Sequence, residues 1–411
     1  MEQTARRIAA ASAGGRSEVA LLYAARAARG FGDGFAVIVL PAYLSEIGFS
    51  PFQIGLAAAV ALLGSALVTL AVGVLAAGRD LSSLLLIGAM AMAATGFVLP
   101  NVAHIVLILA VMFVGTMNPS TGDVGMLVPL EQTMLARDVA NQHRTRTFAH
   151  YSLIGSAATA AGALAAASPD GLVALGASRI GALTSMFYLY AALGLVCTAF
   201  YSRLPHTETH LQRSEIKSLG ASRCIVYKLA ALFSLDSFAG GFAVPSLIAL
   251  WLFERFDLSL ATTSLFFFWS NALTAISYPI AAWLARHFGL INTMVFTHIP
   301  SSVCLILAAL SPNLVLVLAL LLVRSALSQM DVPTRTSYVM AVVTPAERTA
   351  AASVTAVPRS LASSVSPALA GALLATPFTG LPLVICGVLK IAYDLSLLFM
   401  FRHTKPPEEQ N

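Results

Sequence analysis

Apolar runs long enough to cross a bilayer succeed one another along this chain, most of them separated by only short polar stretches. At about 1.5 Å of rise per helical residue, about 20 residues cover a hydrocarbon core of about 30 Å. By that measure the first half predicts spans at 19–45, 52–76, 82–101, 104–132, 145–168 and 177–202. The second half predicts them at 225–253, 260–285, 290–310, 313–341, 351–374 and 379–401. Lipid offers the backbone no hydrogen-bond partners, so each run must satisfy its own amides as a helix. The balance of residue types agrees: 58% of the 411 residues are apolar and 10% charged, against about 25% charged in soluble domains. The expected fold class is an all-α integral membrane protein.

The polar stretches set the layout. Residues 1–18 read as a cytoplasmic tail, 19–202 as a first six-helix bundle, 203–224 as a cytoplasmic central loop, 225–401 as a second six-helix bundle and 402–411 as a cytoplasmic tail. Sidedness follows from the basic residues. Arg79, Arg137, Arg144, Arg146, Arg203, Arg213, Lys217, Arg286, Arg348 and Arg402 fall on the side of the termini, while Arg179 and Arg255 fall on the other. Positive charge collects on the cytoplasmic side, which places both termini there. The net charge of +5 is therefore orientation chemistry, and nucleic acid is not an expected partner. The stretch from Met1 to Ser17 lacks the apolar core of a cleavable signal. Cys197, Cys224, Cys304 and Cys386 are isolated, without the spacing of a metal site or a disulfide framework.

Charged residues inside the spans are the candidates for function. Each costs about 2.5 kcal/mol or more near the bilayer centre and needs a partner, a protein interior or a watery cavity. Arg26, Arg29 and Asp33 lie in the first span among Gly30, Gly32 and Gly34, with Arg29 and Asp33 one turn apart. Asp236, followed by Ser237 and Gly240-Gly241, mirrors that acid in the seventh span. For Asp236 two readings stand, a pair with Lys228 or a solute-facing role. Asp123 and Glu131 in the fourth span and Arg324, Asp331 and Arg335 in the tenth form matching sets toward the cytoplasmic ends, expected to act as a gate or ion-pair network. Arg359 either neutralises Asp331 or contacts an anionic solute, and Asn271 and Tyr278 are candidate cavity lining. Lys390 and Asp394 are expected to satisfy each other one turn apart. His150 and His298 read as isolated residues bonded to neighbouring helices.

The halves repeat. Ile47-Gly-Phe-Ser50 matches Phe256-Asp-Leu-Ser259 in position, and Glu131 to Thr145 lies over Arg335 to Thr349. Parallel repeats of six-helix halves are a common transporter plan, with the solute site near midplane between them. The loop Gly73-Val-Leu-Ala-Ala-Gly-Arg79-Asp80 resembles a worn form of the G-x-L-A-D-R-x-G-R loop of the major facilitator superfamily, and Trp283-Leu-Ala-Arg286-His287-Phe-Gly289 is its counterpart. Ala77 and Arg286 stand where the family usually has aspartate. The resemblance covers nearly the whole chain and implies the family fold, two six-helix bundles related by a pseudo-two-fold axis.

It also implies a secondary active transporter of a small organic solute, working by alternating access. Proton-coupled export by antiport is the expectation, with a bacterial inner membrane as its location. Uptake or exchange of an organic anion is the alternative within transport, and a transporter-like sensor or assembly factor the alternative outside it. Asp33, and with it Asp236, would carry the proton, with Arg29 or Arg26 as exchange partner. A carboxylate binds protons more tightly when buried and less tightly beside arginine, so a movement that separates the pair triggers uptake. The sequence lacks a phosphate-binding Gly-x4-Gly-Lys loop and lacks hydrolase clusters at motif spacing. The protein is therefore not expected to be an enzyme, and a proton gradient, with sodium as the other ion, replaces any cofactor. Beyond solute and membrane lipid no partner is expected, and the chain reads as a monomer.

Overall fold

The structure is a computed structural model that describes residues 2–75, 80–120, 125, 127–138, 141–205, 220, 222–344 and 347–401. In its first half run α1 (Glu2–Glu46), α2 (Pro51–Leu75), α3 (Leu81–Val98), α4 (Ile105–Val114), α5 (Leu127–Asp138), α6 (Asn141–Ala165), α7 (Ser168–Ala174) and α8 (Arg179–Tyr201). The second half holds α9 (Arg223–Gly241), α10 (Pro245–Phe256), α11 (Leu260–Phe288), α12 (Leu290–Leu310), α13 (Leu314–Ser328), α14 (Asp331–Val342), α15 (Arg348–Leu374) and α16 (Leu381–Phe401). Side-chain caps start several of them: Asp80 accepts from Ser82 and Ser83 amides at α3, and Ser178, Ser259 and Asn313 do the same for α8, α11 and α13. The helix over Glu2–Glu46 begins well inside the stretch expected as a tail.

Three expected spans are interrupted. The fourth is divided into α4 and α5, with residues 115–120 and 125 outside helix, the seventh breaks between Gly241 and Pro245, and the tenth between Ser328 and Asp331. Seven stretches are long and apolar enough to cross a membrane on length and composition: Pro51–Val72, Leu81–Asn101, Arg179–Tyr201, Arg223–Phe256, Leu260–Phe288, Leu290–Leu310 and Leu381–Phe401. The crossings outside that set are α1, α4–α5, α6, α13–α14 and α15; of these α1, α5 and α14 carry buried charges, and α4–α5 and α13–α14 are broken. Segments that face lipid on all sides must be apolar, whereas those lining an aqueous path need not be.

The cores show where that path lies. One large cluster unites the two halves at the end remote from the termini, with Ile38 and Leu44 of α1, Phe187 of α8, Leu250 and Trp251 of α10, Leu305 of α12 and Ala370 of α15 among its members. At the other end the core splits. Leu22, Leu85, Leu135 and Tyr151 belong to a cluster drawn from the first half alone, and Val226, Val295, Tyr338 and Leu397 to one drawn from the second. Two bundles joined at one end and separate at the other make a V that opens toward the termini. Exposure along single helix faces follows the same gradient. On α11, Phe267 is 4% exposed and Tyr278, three turns nearer the termini, 37%. On α15, Ala370 and Ser366 are fully buried, Ser363 half-buried and Arg359 exposed.

Backbone contacts close the joined end. Ser246 of α10 donates its amide to the Pro119 carbonyl at 3.2 Å, and Ala261 donates to Asp170 at 3.0 Å. The halves also touch where α2 crosses α15: a methyl group on Gly55 would overlap the Pro367 carbonyl, and one on Gly371 the Pro51 carbonyl. Inside the first half, Gly34 meets the Thr159 carbonyl and Gly162 the Phe31 carbonyl. Gly30 and Gly34 of the first span therefore serve close packing of α1 on α6, whereas Gly32 faces Met92 of α3 and Tyr190 of α8.

A clasp holds the second half's polar end. Glu347, before α15, accepts from the Ser222 hydroxyl at 2.7 Å, the Thr344 hydroxyl at 2.8 Å and the Gly220 amide at 2.5 Å. The two hydroxyls and then the amide hold its carboxyl down at about 2. Its pKa lies below an unfolded value of about 4.3, so the contribution is full above that pH and is lost as pH falls through the folded value. Melting curves of wild type and Glu347→Gln should therefore differ by a constant amount from pH 7 to pH 5, with the gap closing only in more acid solution.

Candidate functional site

Each half carries a network of buried charge within its spans. In the first half α1 presents Arg26 and Arg29, which are 5% and 6% exposed, and α5 presents Glu131, which is fully buried. Arg29 donates to Glu131, as does the Tyr151 hydroxyl of α6, and the Tyr201 hydroxyl of α8 donates to the other carboxylate oxygen at 2.5 Å. Arg26 stacks its guanidinium 5.1 Å above the Tyr151 ring. Glu131 thus has a cation and two hydroxyls as partners and ties α1, α5, α6 and α8 together.

In the second half the signs are exchanged. Arg335 of α14, which the repeat lays over Glu131, donates to Asp236 of α9 at 2.7 Å and also to Asp331 one turn away. Lys390 of α16 donates to the second Asp236 oxygen at 2.8 Å and lies 3.2 Å from His298 Nε2 of α12. The other ring nitrogen of His298 meets both oxygens of Asp394 at 3.0 Å. The result is a chain, Asp331–Arg335–Asp236–Lys390–His298–Asp394, that links α9, α12, α14 and α16. Each half ties its first span to its fourth by an ion pair, cation to acid in one and acid to cation in the other.

Several expectations change. Arg29 engages Glu131, and Asp33 lacks the one-turn partner that its spacing suggested. Lys228 is exposed on α9 and does not reach Asp236. Lys390 and Asp394 do not pair with each other, because Asp236 and His298 offer each a partner on a neighbouring helix. His298, 2% exposed, joins Lys390 to Asp394 near one end of the chain of charges. Tyr151, Tyr201 and Tyr190 were not anticipated as site residues, and a tyrosine within a span gives no sequence cue to whether its hydroxyl meets a carboxylate. Asp123 lies outside the described residues, as do 76–79 of the worn loop, most of the central loop and the end of the chain from 402.

Asp33 stands apart from both networks. Among the described residues, every other mid-membrane carboxylate lies within ion-pairing distance of an arginine, lysine or histidine. Asp33 has instead the Tyr190 hydroxyl at 3.5 Å. It lines a small open cleft together with Arg29, Ser65 of α2, Thr116, Gly125 and Leu127. Gly115, Thr116 and Gly125, which lie outside helix, form part of its wall, and non-helical chain at membrane depth is tolerated where it borders water or protein. Discontinuous helices of this kind present free backbone groups to a solute. Across the molecule, Asn271 is half-buried on α11 with its amide nitrogen unbonded, and Tyr278 is exposed two turns below it on the same face. Arg324 is half-buried on α13 and Arg359 exposed on α15. Among the described residues no carboxylate reaches either guanidinium. No cluster of three or more His, Cys, Asp or Glu suited to a metal ion occurs among the described residues.

Comparison with known proteins follows from this geometry. Residues 229–411 match the family model described as Major Facilitator Superfamily. A curated relative, the uncharacterized membrane protein YJR124C of Saccharomyces cerevisiae, is 24% identical, the match covering 93% of this chain and 94% of the yeast protein. Among solved structures, the chain superposes on the nucleoside transporter NupG with a TM-score of 0.74 at 14% identity, covering 94% of this chain and 99% of that one. A D-xylose-proton symporter gives 0.72 at 16% identity, covering 96% and 99%. The human organic anion transporter MFSD10 (TETRAN) gives 0.62 at 14% identity, covering 93% and 99%. These structures share the fold: this chain is an all-α, multi-pass membrane protein of the major facilitator architecture.

Proposed function

With the major facilitator fold along its length and the family model matching its second half, we propose that the chain is a secondary active transporter of a small organic solute, coupled to protons through Asp33. The observation that carries this reading is the isolation of Asp33. Every other mid-membrane carboxylate among the described residues is tied to a cation or histidine that holds helices together, whereas Asp33 borders a water-accessible cleft with a tyrosine hydroxyl alone. A carboxylate in that position changes charge without unlocking either bundle. In alternating access the two bundles rock about the shared core, and the cleft opens to one side at a time.

The distribution of Lys and Arg supports cytoplasmic termini and a cytoplasmic central loop, in the inner or plasma membrane, so the V described above would be the inward-open state. Reporter fusions test the orientation. Tags at either terminus and near Leu211 should report cytoplasm, and a tag near Pro312 the opposite side; an external tag near Leu211 would reverse the assignment.

The function itself is tested in proteoliposomes. An imposed pH gradient should drive accumulation of at least one member of a panel of nucleosides, sugars, organic acids and amines. Absence of flux for the whole panel, with correctly oriented and folded protein, would favour a sensor or assembly role.

A further inference from the structure

The proposal above leaves the solute's chemistry open, and the second half narrows it. On α15, Arg359 shares a helix face with Thr355, Ser363, Ser366 and Ala370, all buried or half-buried against the protein. The lipid face of that helix is elsewhere, at Leu361, Val365 and Leu369, which are 40%, 55% and 46% exposed. Yet Arg359 is exposed. A residue on the inward face that is nevertheless accessible faces the opening between the bundles.

The neighbouring acids are already taken. Asp236 spends one oxygen on Arg335 and the other on Lys390, Asp331 accepts from Arg335, and Asp394 is held by His298. In the predicted spans of this half three carboxylates, Asp236, Asp331 and Asp394, therefore stand against five fixed cations, Lys228, Arg324, Arg335, Arg359 and Lys390. An arginine at mid-membrane depth is costly to keep without a counter-charge. A guanidinium offers a planar fork of donors that matches a carboxylate or a phosphate in two parallel hydrogen bonds, whereas a neutral sugar or an amine leaves that charge uncompensated.

Resting on the transporter reading, we infer that Arg359 is the anchor for an acidic group, carboxylate or phosphate, on the transported solute. The binding step needs no transport and is measured on purified full-length protein in detergent. Thermal-shift titrations use succinate, citrate and glucuronate as carboxylates, glucose 6-phosphate and inorganic phosphate as phosphates, glucose and uridine as neutral compounds, and putrescine as an amine. At least one acid should raise the melting temperature of the wild type. Its affinity should fall by about tenfold or more in Arg359→Gln, the loss expected for a charge-assisted pair, and by less in Arg359→Lys, which keeps the charge without the fork. Lys228→Gln, at an exposed site outside the networks, should bind as wild type.

Response to the carboxylates alone or to the phosphates alone identifies the acidic group. The melting temperatures of the unliganded variants separate lost binding from lost folding, and Arg359→Lys supplies a second test if Arg359→Gln is unstable. Stabilisation by neutral compounds or the amine but by no acid overturns the assignment. So does the lack of any response, or an acid that binds Arg359→Gln as tightly as wild type. An acid that binds through Arg359 but is not carried in proteoliposomes overturns the transport reading and leaves the anion site standing.

Discussion

Arg335→Gln should be the most destabilising single substitution in the second half. The guanidinium serves Asp236 and Asp331 at once, and both carboxylates are buried, 5% and 3% exposed. Removing the cation leaves Asp331 without a counter-ion and Asp236 with Lys390 alone. Breaking a buried pair in this way typically costs about 3 to 5 kcal/mol, most of it the penalty of a charge left behind. The double variant Asp331→Asn with Arg335→Gln removes that orphan while Lys390 still compensates Asp236. It should cost about 1 to 3 kcal/mol, the scale of lost hydrogen bonds. Melting in detergent measures both. A double variant at least as unstable as the single one would mean that Asp331 does not depend on Arg335 for its charge.

Much of this fold could be read from hydrophobic run lengths, because a bilayer imposes one length on every crossing. The crossings through α2, α3, α8, α12 and α16 follow the apolar runs closely. The breaks after Val114, Gly241 and Ser328 were not legible as breaks. Pro119, Pro129 and Pro333 mark weakened helix, but whether a weakened helix bends or unwinds depends on what its neighbours can satisfy. The charged residues were individually visible, since each is anomalous at depth, and the mirror of Glu131 by Arg335 followed from the repeat. Their pairing was not. Arg29 and Asp33 are one turn apart, as are Lys390 and Asp394, and local spacing favours both pairs. Tertiary packing instead brings Glu131 from α5, Asp236 from α9 and His298 from α12, and a fully buried partner outcompetes a sequence neighbour. Asp331 with Arg335 is the local pair that survives, because Arg335 reaches Asp236 without leaving it. The isolation of Asp33 is likewise a property of the assembled bundle: the cation its spacing promised is spent on Glu131.

Substitution of Asp33 by asparagine should abolish gradient-driven accumulation while leaving the protein folded. The side chain makes one long contact, to Tyr190, and lies in neither charge network, so an isosteric amide disturbs no helix packing. The amide mimics a permanently protonated acid. It can hold solute and pass through the half-cycle that exchanges solute for solute, but it cannot release the proton that lets an external gradient do work. The decisive measurement compares, in proteoliposomes of wild type and Asp33→Asn, the uptake of one carried solute under an imposed pH gradient with its exchange at equal pH. Loss of concentrative uptake with exchange retained is the predicted result. Accumulation by Asp33→Asn to the wild-type level would contradict it, reduce Asp33 to a structural residue and pass the proton to Asp236.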